Sequence, residues 1–376
     1  MEVTMSDTSL ISATLRQANL RYLLDRTRGA VGRMHPYFRI DFYLTRVTSC
    51  ATDLRVGAVS ECQLHDGESV EVGGTVCVPA VKLWNIIEAL PDRPVVLKGL
   101  DNNRLQIECG SYIGFISCVD HQEHFPDMII PGGAPDVECF GTFANDIYAA
   151  VGHAIGKDEE SATSCLSLRV ENGRLVGATT DGHRLSVAAI SVPFDDNCES
   201  FTAGVAIPGR ALGEIKKLRS GSSEIRFRDN RMSIEQCGIA IIARLFEKEF
   251  PSYRRVIPTG HPHCAVVNTR ELIEIIERVA ILTEAKGVTL QFRSGILTVA
   301  GESSAGTIID QVQCQKEGDD IDIHITPGYL LDALRSLKES DDVVIKYADE
   351  LSSILIIPAD HSNWDERIEL IQPRRA

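Results

Sequence analysis

The chain has 376 residues, 44% of them hydrophobic and 24% charged, with a formal net charge of −15. That acidic balance argues at first sight against a nucleic-acid partner. No N-terminal stretch has the apolar core of a signal peptide and no run approaches a membrane span, so a cytoplasmic protein is expected.

In chain order, apolar spacing predicts helices over Leu10–Arg28, 79–90, Phe143–Lys157, 208–219, Thr269–Lys286 and 327–338. The second, fourth and sixth are copies of one another, opening on Pro79-Ala80-Val81, Pro208-Gly209-Arg210 and Pro327-Gly328-Tyr329. Each carries Leu four residues after its proline and an aliphatic residue seven after. Proline suits a first helical turn because the N–H it lacks has no partner there anyway. A short β-like run precedes each copy: Thr75–Val78, Gly204–Ile207 and Ile321–Thr326. An extended segment with a turn follows each: Val95–Gly110, Glu224–Gly238 and Val343–Pro358. The repeat spans about a third of the chain, which is domain-sized rather than solenoid-sized. The expected fold class is α+β, with three tandem repeats of two helices covering antiparallel sheets, over residues 1–131, 132–258 and 259–376.

Charge is unevenly distributed. The six predicted helices carry a basic excess while the rest of the chain is strongly acidic. The excess is concentrated in Arg16, Arg21, Arg26 and Arg28 of the first helix and Arg210, Lys216, Lys217 and Arg219 of the fourth. Solvated helix faces are one reading; a helical surface turned toward a polyanion is the other.

Eleven cysteines are scattered without CxxC spacing, and several, such as Cys77 and Cys109, alternate with apolar residues. Buried reduced thiols account for them, with no cofactor expected. His261-Pro262-His263-Cys264 lacks matching ligands nearby in sequence, so no metal site is assigned. No GxSxG elbow, Walker loop, GxGxxG fingerprint or HExxH helix is present. In Asp181-Gly182-His183-Arg184 an acid neighbours an imidazole, yet aspartate before glycine is first a turn signal. No catalytic residue is assigned.

Two segments carry a resemblance: Ala178-Thr179-Thr180-Asp181-Gly182-His183-Arg184-Leu185-Ser186 and Phe250-Pro251-Ser252-Tyr253-Arg254-Arg255-Val256-Ile257-Pro258. They resemble the T-D-G-H-R-L and F-P-D-Y-R-R-V-[LI]-P signatures of the bacterial β sliding clamp, the DNA polymerase III β-subunit family. Ala51-Thr52-Asp53-Leu54 and Phe125-Pro126-Asp127-Met128 look like weaker counterparts in the first third. The resemblance implies a non-catalytic processivity factor: a head-to-tail homodimeric ring around double-stranded DNA, held without sequence preference. Its helices would line the hole, with Arg16, Arg21, Arg28, Arg33, Arg210, Lys216 and Lys217 facing DNA. Ring closure would use Ile281 and Leu282 on the fifth helix against the strand around Ser111–Val119, with Ile116 as a contact.

The family's peptide groove, which receives motifs from the polymerase III α subunit, the clamp loader and repair proteins, would be walled here by Thr180, Gly182, His183, Arg184, Leu185, Pro251, Arg255 and Val256. Thr163, Pro373 and Arg374 would complete it. The sequence departs from the family there. The usual M-P-M-R-L end reads Gln372-Pro373-Arg374-Arg375-Ala376, and the Y-Y-L-N-G run aligns with Ser161-Ala162-Thr163-Ser164-Cys165. Losing two methionines removes adaptable apolar surface, so weaker binding of the usual motif is expected. The departures also admit a specialised or inhibitor-evading second clamp; an enzyme on a clamp scaffold is the remaining alternative.

Overall fold

The computed structural model describes residues 10–101, 103–126, 137–141, 143–191, 204–218, 223–283, 287–360 and 365–375. Arg219, Asp127, Met128, Lys286 and Ala376 lie outside them. The chain divides into two compact units, Met1–Gly141 with Arg210–Arg244, and Thr142–Gly209 with Leu245–Ala376.

The first unit opens with β1 (Ile11–Arg16), α1 (Gln17–Asp25), β2 (Tyr37–Tyr43), β3 (Arg46–Thr52), β4 (Val56–Gln63), β5 (Ser69–Val72) and β6 (Gly74–Pro79). It continues with α2 (Ala80–Ala89), β7 (Pro94–Leu100), β8 (Arg104–Cys109), β9 (Tyr112–Ser117), α3 (His121–His124) and β10 (Val137–Gly141). In chain order the second unit then supplies α4 (Phe143–Val151), β11 (Cys165–Glu171), β12 (Arg174–Thr180), β13 (Arg184–Ser191) and β14 (Val205–Pro208). The chain next forms α5 (Gly209–Ile215), and β15 (Ser223–Arg228), β16 (Arg231–Gln236) and β17 (Ile239–Arg244) complete the first unit. The rest of the second unit is β18 (His263–Asn268), α6 (Thr269–Thr283), β19 (Val288–Arg293), β20 (Ile296–Ser303), β21 (Gly306–Glu317) and β22 (Ile321–Ile325). It ends with α7 (Pro327–Ser336), β23 (Asp342–Tyr347), β24 (Ile354–Pro358) and β25 (Glu366–Ile371).

Within the first unit one sheet runs β5-β1-β7-β8-β9 and another β10-β15-β16-β17-β4-β3-β2-β6; the second unit holds a twelve-stranded run, β14-β11-β12-β13-β25-β24-β23-β18-β21-β20-β19-β22. Strand pairing thus joins segments far apart in sequence within each unit, β10 with β15 and β4 with β17 in the first and β13 with β25 in the second.

Local structure corrects the helix expectations. Leu10–Arg28 is not one helix: Ile11, Ala13 and Leu15 are buried while Ser12 and Thr14 are not, a period of two that pairs β1 with β7. Helix begins only at Gln17. Pro79 and Pro208 are the last residues of their strands and only Pro327 lies within the helix it starts. The third helix stops at Val151, where a 3-10 turn over Gly152–Ala154 takes over.

The cores follow the helix faces. In the first unit Leu20, Leu23 and Leu24 of α1 and Leu83 and Ile87 of α2 are buried with Phe38, Ile40, Leu97 and Ile107. In the second, Leu272, Ile275, Ile276 and Val279 of α6 join Leu330 and Leu334 of α7, and Phe292 stacks on Tyr347 at 4.2 Å. A polar seam accompanies the β13–β25 pair. Buried Arg367 meets Glu369 at 2.8 Å and donates to Ala150 O at 2.5 Å, while Ser186 donates to Glu369 at 2.7 Å and His153 Nε2 lies 2.9 Å from the same carboxylate. Among the described residues, no helix is long and apolar enough to cross a membrane.

Candidate functional site

The Asp181–His183 segment is the turn between β12 and β13. Asp181 Oδ1 accepts from the amides of His183 (2.9 Å) and Arg184 (3.1 Å), and its Oδ2 accepts from Arg184 Nε at 3.0 Å. Thr180 Oγ1 donates to Arg184 O at 2.6 Å and accepts from the amide of Gly182, whose φ of +89° suits glycine. The carboxylate is therefore an acceptor for the turn, and the His183 ring points elsewhere, stacking on Tyr329 with 6.4 Å between centroids. Arg184 lies 4.5 Å over that same Tyr329 ring and 2.7 Å from Asp332 of α7.

Behind the turn, Leu185 pairs with Leu370, which pairs with Leu355, and the three form an apolar cluster with Val176, Val187 and Tyr253. Tyr253 belongs to a 3-10 turn over Tyr253–Val256, and Phe250 meets its ring edge-on at 6.2 Å. Arg254 is clamped to Glu366 at 2.5 Å and Glu171 at 2.8 Å, so this cation secures the loop. Pro251, Arg255 and Val256 are exposed beside it.

The chain end reaches the turn through the amide of Gln372, which donates to His183 O at 2.9 Å. The Gln372 side chain accepts from Ser353 Oγ at 2.7 Å and donates to Leu351 O at 2.8 Å. Pro373 is buried. Arg374 leaves the turn: its amide donates to His324 O at 2.8 Å, and a Cβ on Gly287 would sit 3.4 Å from its Cδ. Thr163 is engaged locally, its amide bonded to Ser161 Oγ and its carbonyl to the amide of Gly156. Of the sequence-implied set, Thr180, Gly182, His183, Arg184 and Leu185 form the turn, with Pro251, Arg255, Val256 and Pro373 on the segments packed by it, while Thr163 and Arg374 are bonded elsewhere. Tyr329, Asp332, Leu355 and Leu370 were missed. Tyr329 had a signal, the third position of the repeated proline-led helix.

In the first unit, Arg28–Ala30 packs against α5 so closely that a Cβ on Gly29 would overlap Glu214 and Lys217. Most of the cations expected to face DNA already have partners. Arg21 pairs with Glu88 (3.7 Å), Arg28 with Asp25 (2.9 Å), Arg210 with Asp53 (2.8 Å) and Lys217 with Glu214 (2.8 Å). Arg28 also lies 4.4 Å over Trp84, and Arg16 donates to Asp66 O at 2.6 Å. Arg33 and Lys216 are exposed.

Several strand edges are open among the described residues, and two of them, on β9 and β21, bear on the expected ring closure. β9 ends its sheet, and Ile113 and Phe115 point outward from it, Arg104 lying 4.7 Å over the Phe115 ring. Ile116 faces the other way, only 6% exposed and packed in the core, because alternate strand residues take opposite faces. This corrects the expected contact. On β21, residues 306–313 pair with β20 alone, since β18 reaches only Cys314–Glu317. Ile309 is exposed there, Ile281 of α6 is 82% exposed, and Leu282 is half-buried. No group of three or more metal-ligating side chains occurs among the described residues.

Residues 142–252 match the central domain of the DNA polymerase III beta subunit, and residues 254–369 match its C-terminal domain. The chain is 27% identical over 279 residues to the beta sliding clamp of Streptomyces coelicolor, covering 71% of this chain and 73% of that one. It is 25% identical over 333 residues to the Pseudomonas aeruginosa beta sliding clamp, covering 86% and 87%. A DnaN sliding clamp from Bartonella birtlesii, solved with griselimycin bound, superposes with a TM-score of 0.88 at 22% identity over 97% of this chain and 100% of that one. The Bacillus subtilis DNA polymerase sliding clamp gives 0.87 at 19% identity over 98% and 100%.

Proposed function

The chain belongs to the DNA polymerase III beta subunit family, and from that membership we infer that it is a DNA sliding clamp. The reading rests on one observation: two consecutive segments, together more than half the chain, match successive domains of that one protein. The clamp encircles duplex DNA as a ring of two copies and tethers polymerases to it. It is non-catalytic and works in the cytoplasm as three repeats, 1–131, 132–258 and 259–376. Encirclement is topological, so an acidic protein can hold DNA with few phosphate contacts and still slide. The paired state of Arg21, Arg28, Arg210 and Lys217 suits that weak grip.

Ring closure brings the β9 edge of one copy to the free edge of β21 in the other. An edge strand without charge, proline or bulge is a template for pairing, and Tyr112-Ile113-Gly114-Phe115-Ile116-Ser117 carries none of these guards. Ile113 and Phe115 supply the outward apolar contact on β9; Ile309 and Ile281 supply it on the partner edge. The peptide groove is the surface around Thr180–Leu185, Pro251, Arg255, Val256 and Pro373, open to motifs of the polymerase α subunit, the clamp loader and repair proteins. The Gln372 amide, tied to Ser353 and Leu351, makes its margin polar. A labelled peptide of the family's usual motif should bind more weakly here than to an ordinary clamp; equal affinity would refute the remodelled margin.

Negative-stain electron microscopy at micromolar concentration tests the clamp itself. Closed particles with a duplex-sized hole are expected. Compact particles without a hole at every concentration would remove the sliding mechanism.

A further inference from the structure

The turn between β3 and β4 in the first unit reproduces the hydrogen bonding of the β12–β13 turn atom for atom. Thr52 Oγ1 donates to Val56 O at 3.0 Å and accepts from the amide of Leu54 at 3.0 Å. Asp53 Oδ1 accepts from the amides of Arg55 (2.9 Å) and Val56 (2.6 Å). Thr180 and Asp181 make the same four bonds one repeat later. The helix partner is repeated too. Tyr329, third residue of Pro327-Gly328-Tyr329, meets Arg184; Arg210, third residue of Pro208-Gly209-Arg210, meets Asp53 at 2.8 Å.

One position does not fit a purely structural role. Where the second turn has Gly182, the first has Leu54, held at φ +75° and 61% exposed. Leucine is disfavoured in that conformation, and an exposed leucine returns nothing to the core. Gly32 rests on Asp53, where a Cβ would lie 2.5 Å from the aspartate Cβ, so the loop carrying Met34 lies against this turn. Met34 is 84% exposed. Arg33 is exposed beside Met34, and with Arg210 held on Asp53 it leaves one cation in excess here on a chain of net charge −15.

We propose that this surface, built from the Asp53–Arg55 turn, the Met34 loop and the start of α5, is a second docking site for an acidic peptide segment bearing an aliphatic or aromatic anchor. Leu54 and Met34 offer the anchor an apolar seat; Arg33 answers its carboxylates, beside the Arg210–Asp53 pair. A duplex backbone would satisfy the arginines but has nothing apolar to place on Leu54 and Met34. That such a turn docks peptides rests on the groove reading of Thr180–Arg184, but the motif-peptide titration above probes a different surface, so the two can fail separately.

The test is fluorescence anisotropy on the full chain with a labelled synthetic peptide in which glutamates flank a Leu-Phe pair. Leu54→Gly with Met34→Ser should weaken binding about tenfold, the effect of losing one buried aliphatic anchor. Glycine suits the backbone at residue 54, so this variant keeps the turn, which an unchanged circular dichroism melt would verify. Val256→Ser, on the other surface, should leave binding unchanged. Three results would overturn the site: no binding by the wild-type protein, equal binding by the double variant, or loss with Val256→Ser alone. Reduced affinity of the double variant for linear duplex DNA, with the peptide unaffected, would reassign the patch to DNA.

Discussion

At the scale of single residues, the turn aspartates show how a likeness to catalytic chemistry dissolves on inspection. Asp181 beside His183 looks like an acid–imidazole pair in the sequence, but its carboxylate is consumed by two amides and Arg184. Arg184 does more for the fold, joining the turn to α7 through Asp332 and Tyr329. Arg184→Ala should therefore lower stability by about 1–2 kcal/mol, seen as a lower urea midpoint with unchanged slope. Thiols give a second expectation. Burial pushes Cys50 and Cys77 from the ordinary 9.0 up to about 12. Both should resist iodoacetamide in the native protein while exposed Cys237 reacts, as peptide mapping would reveal. Their linkage also has a definite sign. Unfolded thiols ionise from about pH 9 while the folded ones stay protonated, so stability present below that pH is lost on the way to 12. The turn was legible from Asp-Gly alone. The place of Tyr329 in the repeated helix was legible, but not its contacts with His183 and Arg184, which lie far away in the chain.

Elements were legible in type more than in extent. The repeated helices, their preceding strands and the hairpins after them were readable because periodicity and turn residues are local signals. Leu10–Arg28 reads as helix because Ile11 and Leu15, four apart, also fit a helical stripe; pairing with β7 reveals the strand. The β13–β25 seam was equally invisible, joining residues far apart in sequence. Its ion pair now makes a sharp prediction. Burial drives the Arg367 guanidinium below its ordinary value, against the opposing pull of Glu369. Removing the carboxylate with Glu369→Gln leaves a buried cation unmatched and should cost about 3–5 kcal/mol. Replacing both residues by Met and Leu should cost far less, because two desolvation penalties vanish together. Chemical denaturation of the three proteins would decide it.

For the whole molecule, the proposed ring closure rests on the edges of β9 and β21. Ile281→Glu on the most exposed aliphatic position of α6 should shift sedimentation velocity at micromolar concentration from dimer to monomer while leaving the thermal melt of the fold nearly unchanged. An unaltered dimer would count against the edge assignment. DNA retention should depend on topology more than on salt. A clamp loaded on closed circular DNA should survive raised salt and be lost on linearisation, whereas binding to linear duplex should be weak, with the shallow salt slope of few phosphate contacts.

The twelve-stranded run in the second unit also constrains how this gene can be inherited. The boundary between the two matched family domains, near residue 253, falls in a loop that looks easy to cut. Yet β13 and β25, one from each side, are hydrogen-bonded neighbours over a shared apolar cluster and a buried ion pair. A recombinant carrying either domain from a distant relative would have to match the other's strand register, its leucines and its charge at once. Swaps between such genes should therefore survive only when the two domains travel as one block.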